Sequence, residues 1–382
     1  MFFFVIFASN FTLFAILTQE RRLTKVTAMQ VAHLFNPEHD LALASGQERF
    51  TPPAAGRGMR ADLAFIPAFW ADDGDIVLVD DAERARRMAM PWSKWLADVE
   101  WIQLDDSRTL ATKTQDGVVV RPWGWNMALR FQLLKRGIDS HFLPSGEQVG
   151  KVRTLSHRAT SIPLLQTLSE KADGVVGERV EVRQTDELDS LARLWGQFVV
   201  KAPWSSSGRG VRFAAQWPQP NLEGFVRNVI LRQGSVVVEP FYEKVTDFAM
   251  EFVADGEGQA TFQGLSLFHT VNGAYVGNWL ATEEEKRQRL AQYVDLNTLD
   301  NVARLIALEV GRWCKGCYQG PFGVDMMVVR RDQGFALHPC VEVNLRRTMG
   351  HVALALTRRT RGEFNVMRVL YENGIYKLLL ES

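Results

Sequence analysis

Residues 320–350 read GPFGVDMMVVRRDQGFALHPCVEVNLRRTMG, and this stretch decides the fold because it predicts a β-hairpin. Val, Met and Phe dominate residues 322–330, as they do in half-buried strands. Residues 331–334 supply Asp and Gly for a turn, since Gly adopts a positive φ freely. Residues 335–344 then form the return strand.

The register of this hairpin decides which face carries Asp325. If the turn pairs Arg330 with Phe335, Asp325 lies opposite Cys340. Side chains alternate along a strand, so Glu342 then points to the same face as Asp325. A slip of one residue would send Asp325 to the other face, and the prediction therefore depends on the turn.

Two carboxylates and a carboxamide on one surface form a set of hard oxygen ligands. Asn344 follows Glu342 by two residues and joins Asp325 on that face. Mg²⁺ prefers such oxygens and completes its octahedron with nucleotide phosphates. Arg346 and Arg347 come next and can hold phosphate or carboxylate oxygens in a forked geometry. The alternative is a hairpin whose charged side chains only face water.

The composition is that of a soluble globular protein. The chain has 382 residues, of which 46% are hydrophobic and 23% charged, and this length allows two or three domains. The formal net charge is +0 and no strongly basic block is present, which argues against nucleic acid as the main partner. A local basic pocket for a phosphate ligand stays compatible with a neutral chain.

The three cysteines, Cys314, Cys317 and Cys340, form no disulfide framework and fit a reducing, cytoplasmic environment. The pair Cys314-x-x-Cys317 could be a redox pair or half of a zinc site. The sequence has no second C-x-x-C and no H-x-x-x-H to complete such a zinc site. We therefore expect these cysteines to be small buried residues.

The apolar leader, residues 1–28, has two main interpretations. Residues 1–18 are apolar but shorter than the ~20 residues of a spanning helix, and they lack the basic start of a signal peptide. They could anchor the chain in a membrane, with the basic residues Arg21, Arg22 and Lys25 keeping the main body cytoplasmic. We favour instead a start at Met29, which makes the leader an artefact of start-site choice and a membrane partner unexpected.

Residues 29–153 predict an α/β domain. The candidate strands are residues 31–35, 75–80, 118–121 and 142–144, and residues 127–135 have helical spacing. Strands that alternate with helices indicate a parallel sheet, and ligands gather at the carboxyl ends of its strands. The loops Asn36-Pro37-Glu38-His39-Asp40 and Pro122-Trp123-Gly124-Trp125-Asn126 are therefore candidates for a substrate crevice. Alternatively, the first loop only caps a helix and the tryptophans only pack.

The middle of the chain predicts a second layer of strands and helices. Ser156 is the expected N-cap of a helix over residues 155–168, with Arg158 in its first turn. A strand over residues 178–182 and a helix over residues 186–195 follow.

Residues 198–213, FVVKAPWSSSGRGVRF, form the second informative stretch. A strand ends in Lys201, and a flexible loop from Ser205 to Gly210 precedes the next strand. Backbone N–H groups and small hydroxyls in such a loop can surround phosphate oxygens. The sequence is not a Walker A motif, and a Gly/Ser loop can also be a simple turn.

Residues 236–253, VVVEPFYEKVTDFAMEFV, predict two strands joined by a short crossing segment that begins at Glu239. Asp247 and Glu251 add carboxylates to the second strand. Residues 260–280 predict paired strands around Asn272-Gly273. The remaining expected helices are residues 301–315, 350–356 and 363–371.

Together, VVKAPWSSSGRGV, VVVEPFYEKVTDF and FGVDMMVV…CVEVNLRRTMG resemble the ATP-grasp superfamily, whose members hold ATP between two α+β subdomains. The resemblance covers roughly residues 155–356. It implies a mixed α/β and α+β fold in three parts: a parallel-sheet domain at 29–153, similar to the domain such enzymes carry upstream, a lid subdomain at 154–236, and a C-terminal subdomain with the metal site at 237–382.

The resemblance also implies site residues in three groups. The nucleotide-binding positions are Arg158, Lys201, Ser205, Ser206, Ser207, Gly208, Arg209, Gly210, Glu239, Phe241 and Asp247. The positions that would hold Mg²⁺ or Mn²⁺ are Asp325, Glu342 and Asn344. The catalytic positions are Lys201 and Arg346.

Each implied role is specific. Lys201 would contact the phosphates under a mobile flap at residues 205–210, and Glu239 and Phe241 would lie at the adenine hinge. Asp247 stands where the family usually has a ribose-binding Glu. Arg158 stands where many members have a Lys, whose reach differs. Arg346 would face an acyl phosphate.

The expected function is an ATP- and Mg²⁺-dependent ligase. ATP would phosphorylate a substrate carboxylate, and an amine or a thiol would then displace phosphate. Such chemistry needs positioning and charge neutralisation more than covalent participation of the protein. The alternatives are a small-molecule kinase on the same scaffold and a nucleotide-binding protein without turnover. Small carboxylate and amine substrates are the expected partners, an oligomer is compatible with the sequence, and the substrate's identity is not readable.

Overall fold

The computed structural model describes residues 29–205, 210–271 and 274–382. The apolar leader, residues 206–209 of the expected flap and the Asn272-Gly273 turn lie outside these ranges. None of the helices within these ranges combines the length and the apolar composition of a membrane-spanning segment.

The N-terminal part is a parallel four-stranded sheet, called the first sheet. Its strands are β1 (Val31–Leu34), β2 (Ile76–Val79), β3 (Glu100–Gln103) and β4 (Val119–Pro122), in the order β3-β2-β1-β4. Its helices are α1 (His39–Ser45), α2 (Ala54–Asp62), α3 (Ala82–Ala89), α4 (Ser107–Gln115), α5 (Met127–Lys135) and α6 (Gly146–Leu155). All four β2 residues are buried, as expected for a parallel strand covered on both faces.

The next part is an antiparallel sheet of four strands, called the small sheet. The elements are α7 (Ile162–Lys171), β5 (Val180–Val182), α8 (Glu187–Trp195), β6 (Phe198–Lys201), β7 (Val211–Ala214), α9 (Pro220–Gln233) and β8 (Val236–Pro240), with the strand order β5-β8-β6-β7. Leu188 of α8 and Leu222 and Val226 of α9 pack with the strands in one apolar core. Strand β8 carries this sheet to Pro240, beyond residue 236.

The last part is an antiparallel sheet of seven strands, called the large sheet. Its strands are β9 (Lys244–Ala254), β10 (Ala260–Val271), β11 (Ala274–Trp279), β12 (Gly320–Arg330), β13 (Phe335–Asn344), β14 (Val366–Glu372) and β15 (Ile375–Glu381). The spatial order is β13-β12-β9-β10-β11-β14-β15. The helices are α10 (Glu283–Ala291), α11 (Leu296–Cys314) and α12 (Met349–Thr360).

Two helices fix the large sheet in the molecule. Leu299, Val302 and Ile306 of α11 belong to the main apolar core with the central strands. Val352 and Leu356 of α12 join a second core with Phe35, Phe69 and Trp123 of the N-terminal part, which is called the first domain below. Helix α12 and the turn before it therefore hold the hairpin β12–β13 against the end of the first sheet.

The predicted fold class is confirmed: a parallel-sheet α/β domain comes first, and two antiparallel α+β layers follow. The hairpin strands and helix α5 lie where the sequence predicted them. The division at residues 153 and 236 stays a prediction.

Three local predictions are wrong. Ser156 ends α6 instead of starting a helix, because α6 starts earlier, at a capping box formed by Ser145 and Gln148. Residues 142–144 are not a strand, since Asp139 caps a short 3₁₀ helix over residues 140–142. Residues 363–371 are not a helix, because β14 pairs with β11 and β15 and buries Met367 between them.

Candidate active site

A register shift puts the two hairpin carboxylates directly opposite each other. The prediction that Asp325 lies opposite Cys340 is wrong, because Asp325 pairs with Glu342. The register shifts between Asp325 and Met327, and on the facing strand this segment contains Pro339, which has no N–H to donate. The shift from Cys340 to Glu342 is two residues, so alternation is preserved and the two carboxylates share a face.

The hairpin face is strongly acidic. Burial, together with the negative charges of Glu342 and Glu251, raises the pKa of Asp325 to about 8. The Asn344 carboxamide donates to Asp325 Oδ2 at 3.2 Å. A cation placed between Asp325 and Glu342 would relieve this repulsion.

The donor set suits a hard cation that takes further oxygens from a ligand. In the described ranges, no group of three or more His, Cys, Asp or Glu side chains is arranged to hold a metal ion. Asp325 and Glu342 thus offer two carboxylates, and Asn344 would add its amide oxygen after its carboxamide turns over, because Nδ2 now faces Asp325 and Oδ1 faces Arg346. Mg²⁺ commonly binds through one or two carboxylates plus substrate phosphates, so these residues fit it.

Arg346 joins this hairpin to the first domain. Its Nε and Nη2 donate to Asp40 Oδ1 and Oδ2 at 2.7 and 2.8 Å, and Nη2 also donates to Asn344 Oδ1 at 2.9 Å. Burial alone would raise the pKa of Asp40, but the charge of Arg346 outweighs it and the pKa is lowered. Burial alone would lower the pKa of Arg346, but the charge and hydrogen bonds of Asp40 outweigh burial, and the pKa of Arg346 is raised.

The two loops predicted to form a crevice lie side by side. Asn36 Nδ2 donates to Gly124 O at 2.9 Å, and the Asn126 carboxamide lies 3.2 Å from His39 Nδ1. A Cβ on Gly124 would come within 2.6 Å of His39 Nδ1, so the ring needs glycine there. Burial lowers the pKa of His39 to about 4, which keeps the imidazole neutral.

Two residues of the first crevice loop, His39 and Asp40, open into the same narrow cleft as the hairpin residues. Its lining includes His39, Asp40, Ser205, Glu342 and Arg346.

Lys201 occupies the end of strand β6, where it meets a buried carboxylate. Its Nζ donates to Glu239 Oε2 at 2.5 Å, and Arg179 Nε donates to Glu239 Oε1 at 2.6 Å. Burial would raise the pKa of Glu239, but these two cations lower it to about 2. Burial lowers the pKa of Lys201 despite the neighbouring carboxylate.

Arg158 connects the small sheet to the hairpin. Its Nη2 donates to Glu342 Oε2 at 2.7 Å, and its Nη1 donates to Ser205 Oγ at 2.9 Å and also to Ala202 O. Arg158 is buried and begins a 3₁₀ turn, residues 158–161, that precedes α7. One guanidinium therefore contacts both the glycine-rich loop and the acidic face.

Arg179 is a site residue that the sequence did not reveal. Besides Glu239, it contacts the hydroxyl of Ser161, and its Nη2 donates to Cys340 O at 2.9 Å and Val341 O at 2.8 Å. Its side chain is 0% exposed. An Arg just before a short strand gives no sequence signal, because most arginines in such places face water.

Two predicted nucleotide residues have other partners in the structure. The backbone N–H of Phe241 donates to Gln197 O at 3.0 Å, which removes that donor from the expected hinge. Asp247 accepts from Thr270 Oγ1 at 2.7 Å and from Lys244 Nζ.

The glycine-rich loop is described only at its two ends. A Cβ on Gly210 would come within 2.4 Å of Ser205 Cβ, so the loop closes at a glycine. Ser206, Ser207, Gly208 and Arg209 lie outside the described residues.

The cysteines are buried free thiols, as expected. Burial raises the pKa of Cys314 to about 12 and also raises that of Cys317, so neither thiol ionises readily at neutral pH. All three cysteines belong to the main apolar core, and Cys340 lies on β13 itself, two residues before Glu342.

At the sequence level, no family model and no curated protein matches the chain. Among solved structures, N5-carboxyaminoimidazole synthetase from Staphylococcus aureus, complexed with ADP, is similar with a TM-score of 0.48 and 14% identity, over 90% of this chain and 83% of that one. The biotin carboxylase β-γ-ATP complex from Campylobacter jejuni has a TM-score of 0.48 and 14% identity, over 91% and 73%.

A third similar structure is the biotin carboxylase domain dimer of 2-oxoglutarate carboxylase from Hydrogenobacter thermophilus, in complex with MgADP, ADP and bicarbonate. Its TM-score is 0.47 and its identity 15%, over 91% of this chain and 72% of that one. These similarities by themselves assign neither a family nor an activity to the chain.

Proposed function

We propose that this protein is an ATP-dependent ligase of the ATP-grasp kind, which activates a substrate carboxylate for attack by an amine. The observation that carries the proposal is the pairing of Asp325 with Glu342 on a face that Arg158 reaches from the turn before α7. Acids from one layer and cations from the next are thus brought together, as phosphoryl transfer requires.

Binding of the nucleotide would break ion pairs that the protein now forms within itself. Arg158 and Lys201 bind carboxylates of the protein itself, Glu342 and Glu239. Phosphate oxygens would take the place of those carboxylates on the two cations. Glu342 would then be released to the hairpin face, where Asp325 already lies opposite it.

Asp325, Glu342 and Asn344 would hold Mg²⁺ or Mn²⁺, which when bound neutralises charge on the phosphates. Arg346 remains a cation beside Asn344, since Asp40 raises its pKa. Its position beside the ligand set suits a group that holds oxygens of the transferred phosphoryl group.

The proposed reaction has two steps. A substrate carboxylate oxygen attacks the γ-phosphorus of ATP, and ADP leaves, which gives an acyl phosphate. The amine nitrogen then attacks the acyl carbon, the phosphate leaves with the bonding electrons, and the nitrogen loses a proton. His39, Asp40 and Arg346 line the cleft that would exclude water from the acyl phosphate. We further propose that the enzyme acts in the cytoplasm on small carboxylate and amine substrates.

The test is a screen for ADP release against pools of amino acids and small carboxylic acids with Mg²⁺. Glu342→Gln should abolish turnover, whereas Glu284→Gln, on the exposed start of α10, should leave it unchanged. Absence of ADP in every pool, or full turnover by Glu342→Gln, would contradict the proposal. A stable phosphorylated product in place of an amide would identify a kinase instead.

A further inference from the structure

Arg347 differs sharply from its neighbour Arg346. Arg346 is neutralised by a bidentate ion pair with Asp40. The guanidinium of Arg347 instead lies over the indole ring of Trp70, 4.2 Å from its centre. Taking residues 29–205, 210–271 and 274–382 together, it makes no hydrogen bond and no ion pair. Of the two consecutive arginines after β13, Arg346 thus has an anionic partner and Arg347 has none in these ranges.

The surroundings of Arg347 disfavour its positive charge, which a bound anion would stabilise. Burial, with the nearby positive charge of Arg121, lowers its pKa to about 10, although Tyr318 and Glu251 act in the opposite direction. Glu251 acts on Arg347 only through space, because no hydrogen bond or ion pair joins the two side chains in the described residues. Arg347 is half-buried, and a partly desolvated guanidinium without a paired anion would gain from binding one.

The platform beneath Arg347 is built into the first domain. Trp70 Nε1 donates to His33 Nδ1 at 3.3 Å, and His33 Nε2 lies 3.0 Å from Asp75 Oδ2. The backbone N–H of Arg347 donates to Trp123 O at 2.8 Å, which ties the residue to the loop after β4. The indole and the main chain are therefore both fixed, and the guanidinium is pre-oriented.

The location suits a ligand. Arg121 lies opposite His33 in the parallel pair β1–β4, one residue before β4 ends. Its guanidinium is exposed and forms no ion pair within the described part of the chain. The carboxyl ends of parallel strands are where ligands of α/β sheets bind. Arg121 and Arg347 thus bring two uncompensated guanidinium groups to that edge.

We propose that Arg347, with Arg121 beside it, binds an oxyanion, a phosphate or a second carboxylate, carried by a substrate. The forked donors of Arg suit either group, and the indole holds the fork in place. That the oxyanion belongs to a substrate rests on the proposed ligase function, whereas the binding of the anion does not. The substrate would then have two acidic groups, one activated by ATP and one held by Arg347.

The experiment is calorimetric titration of the full chain with inorganic phosphate and, separately, with succinate, without nucleotide or Mg²⁺. We expect saturable binding of at least one probe by the wild-type protein. Arg347→Gln should weaken it at least about tenfold, and Arg347→Lys should retain part of the affinity because it keeps the charge. Lys201→Met should retain the binding that depends on Arg347 and remove only any additional phosphate bound at the proposed nucleotide site. The tighter probe identifies the class of the anionic group.

Three results would overturn the anion site. The first is that neither probe binds saturably. The second is that Arg347→Gln and wild type bind the probe with equal affinity. The third is that only Lys201→Met loses anion binding, which would place the anion in the nucleotide site. Thermal unfolding of each variant verifies folding, and Arg121→Gln, at an exposed position, provides a second variant expected to weaken binding. If ADP release fails in every pool while anion binding depends on Arg347, the ligase proposal fails and the anion site stands. If ADP is released but anion binding does not depend on Arg347, the anion site fails and the ligase proposal stands.

Discussion

Asp40 and Arg346 join the first domain to the hairpin β12–β13 through two parallel hydrogen bonds of 2.7 and 2.8 Å. Asp40 comes from the start of α1, and Arg346 comes two residues after β13 ends. The two side chains are only 19% and 18% exposed. The pair therefore fixes the distance between the crevice loops and the acidic face of the hairpin.

Asp40→Asn should destabilise the protein by about 1–3 kcal/mol, because it leaves a largely buried guanidinium without its counter-charge. Urea unfolding at pH 7 measures the change. Asp300→Asn is the matched control, since Asp300 forms a similar fork with Arg287 but is 60% exposed. That exposed pair should contribute at most about 1 kcal/mol. Equal losses in the two variants would show that the Asp40 pair is solvated like a surface pair.

The same pair should make stability depend on acid pH. The folded-state pKa of Asp40 lies below its ordinary value of 3.8, so the unfolded carboxylate takes up a proton first. The contribution of the pair is present above about pH 4 and is lost as the pH falls through the lower folded pKa. The difference in unfolding free energy between wild type and Asp40→Asn should therefore shrink below pH 4. A difference that stays constant from pH 7 to pH 2 would contradict this assignment.

Asp325 should have the opposite effect on stability. Its pKa is raised from 3.8 to about 8, so between these values the unfolded state binds fewer protons than the folded state and stability falls as pH rises. Asp325→Asn should stabilise the metal-free protein at pH 8 by at least about 1.4 kcal/mol, the equivalent of one pKa unit. At pH 4 the gain should be much smaller.

Urea unfolding at the two pH values measures the Asp325 effect, with EDTA present to keep the protein metal-free. Asp332→Asn, in the exposed turn of the same hairpin, serves as the control and should change stability little at either pH. A destabilising effect of Asp325→Asn at pH 8 would mean that the carboxylate is stabilised by its surroundings in the absence of a metal.

Lysine in place of Arg158 should impair ATP use although it preserves the charge. The guanidinium contacts Glu342, Ser205 and Ala202 at once, and a single ammonium group cannot reproduce that planar fork. We expect kcat/KM for ATP to fall about 10- to 100-fold in Arg158→Lys, and further in Arg158→Met. ADP release under saturating second substrate measures both. Wild-type kinetics in Arg158→Lys would show that only its charge matters.

The sequence predicted the strands that carry the site residues better than it predicted which of those residues lie opposite each other. Alternation placed Asp325, Glu342 and Asn344 on one face, and a shift of two residues left that face unchanged. The direct pairing of Asp325 with Glu342 could not be predicted, because the number of residues in a strand irregularity depends on contacts with neighbouring strands.

Long-range ion pairs were equally inaccessible. Asp40 and Arg346 are separated by 306 residues in sequence, and Arg158 and Glu342 by 184. Each residue was singled out on local grounds, but the partner of each is set by how the sheets pack. Arg179 was missed for the same reason, since burial against Glu239 is a tertiary property.

Gly124 offers the sharpest test of the crevice. A Cβ there would lie 2.6 Å from His39 Nδ1 and 2.7 Å from Cε1, closer than side chains tolerate, so Gly124→Ala must displace the imidazole. We expect a loss of about 1–3 kcal/mol in unfolding free energy, as for other overpacked sites, and a raised KM for the crevice-bound substrate with the KM for ATP unchanged. Gly150→Ala is the matched control, because nothing lies within 4 Å of its Cβ position in α6 and Ala favours a helix, so stability should hold or rise by up to ~1 kcal/mol. If Gly124→Ala behaves like Gly150→Ala, the ring of His39 is free to move and the crevice is not shaped by it.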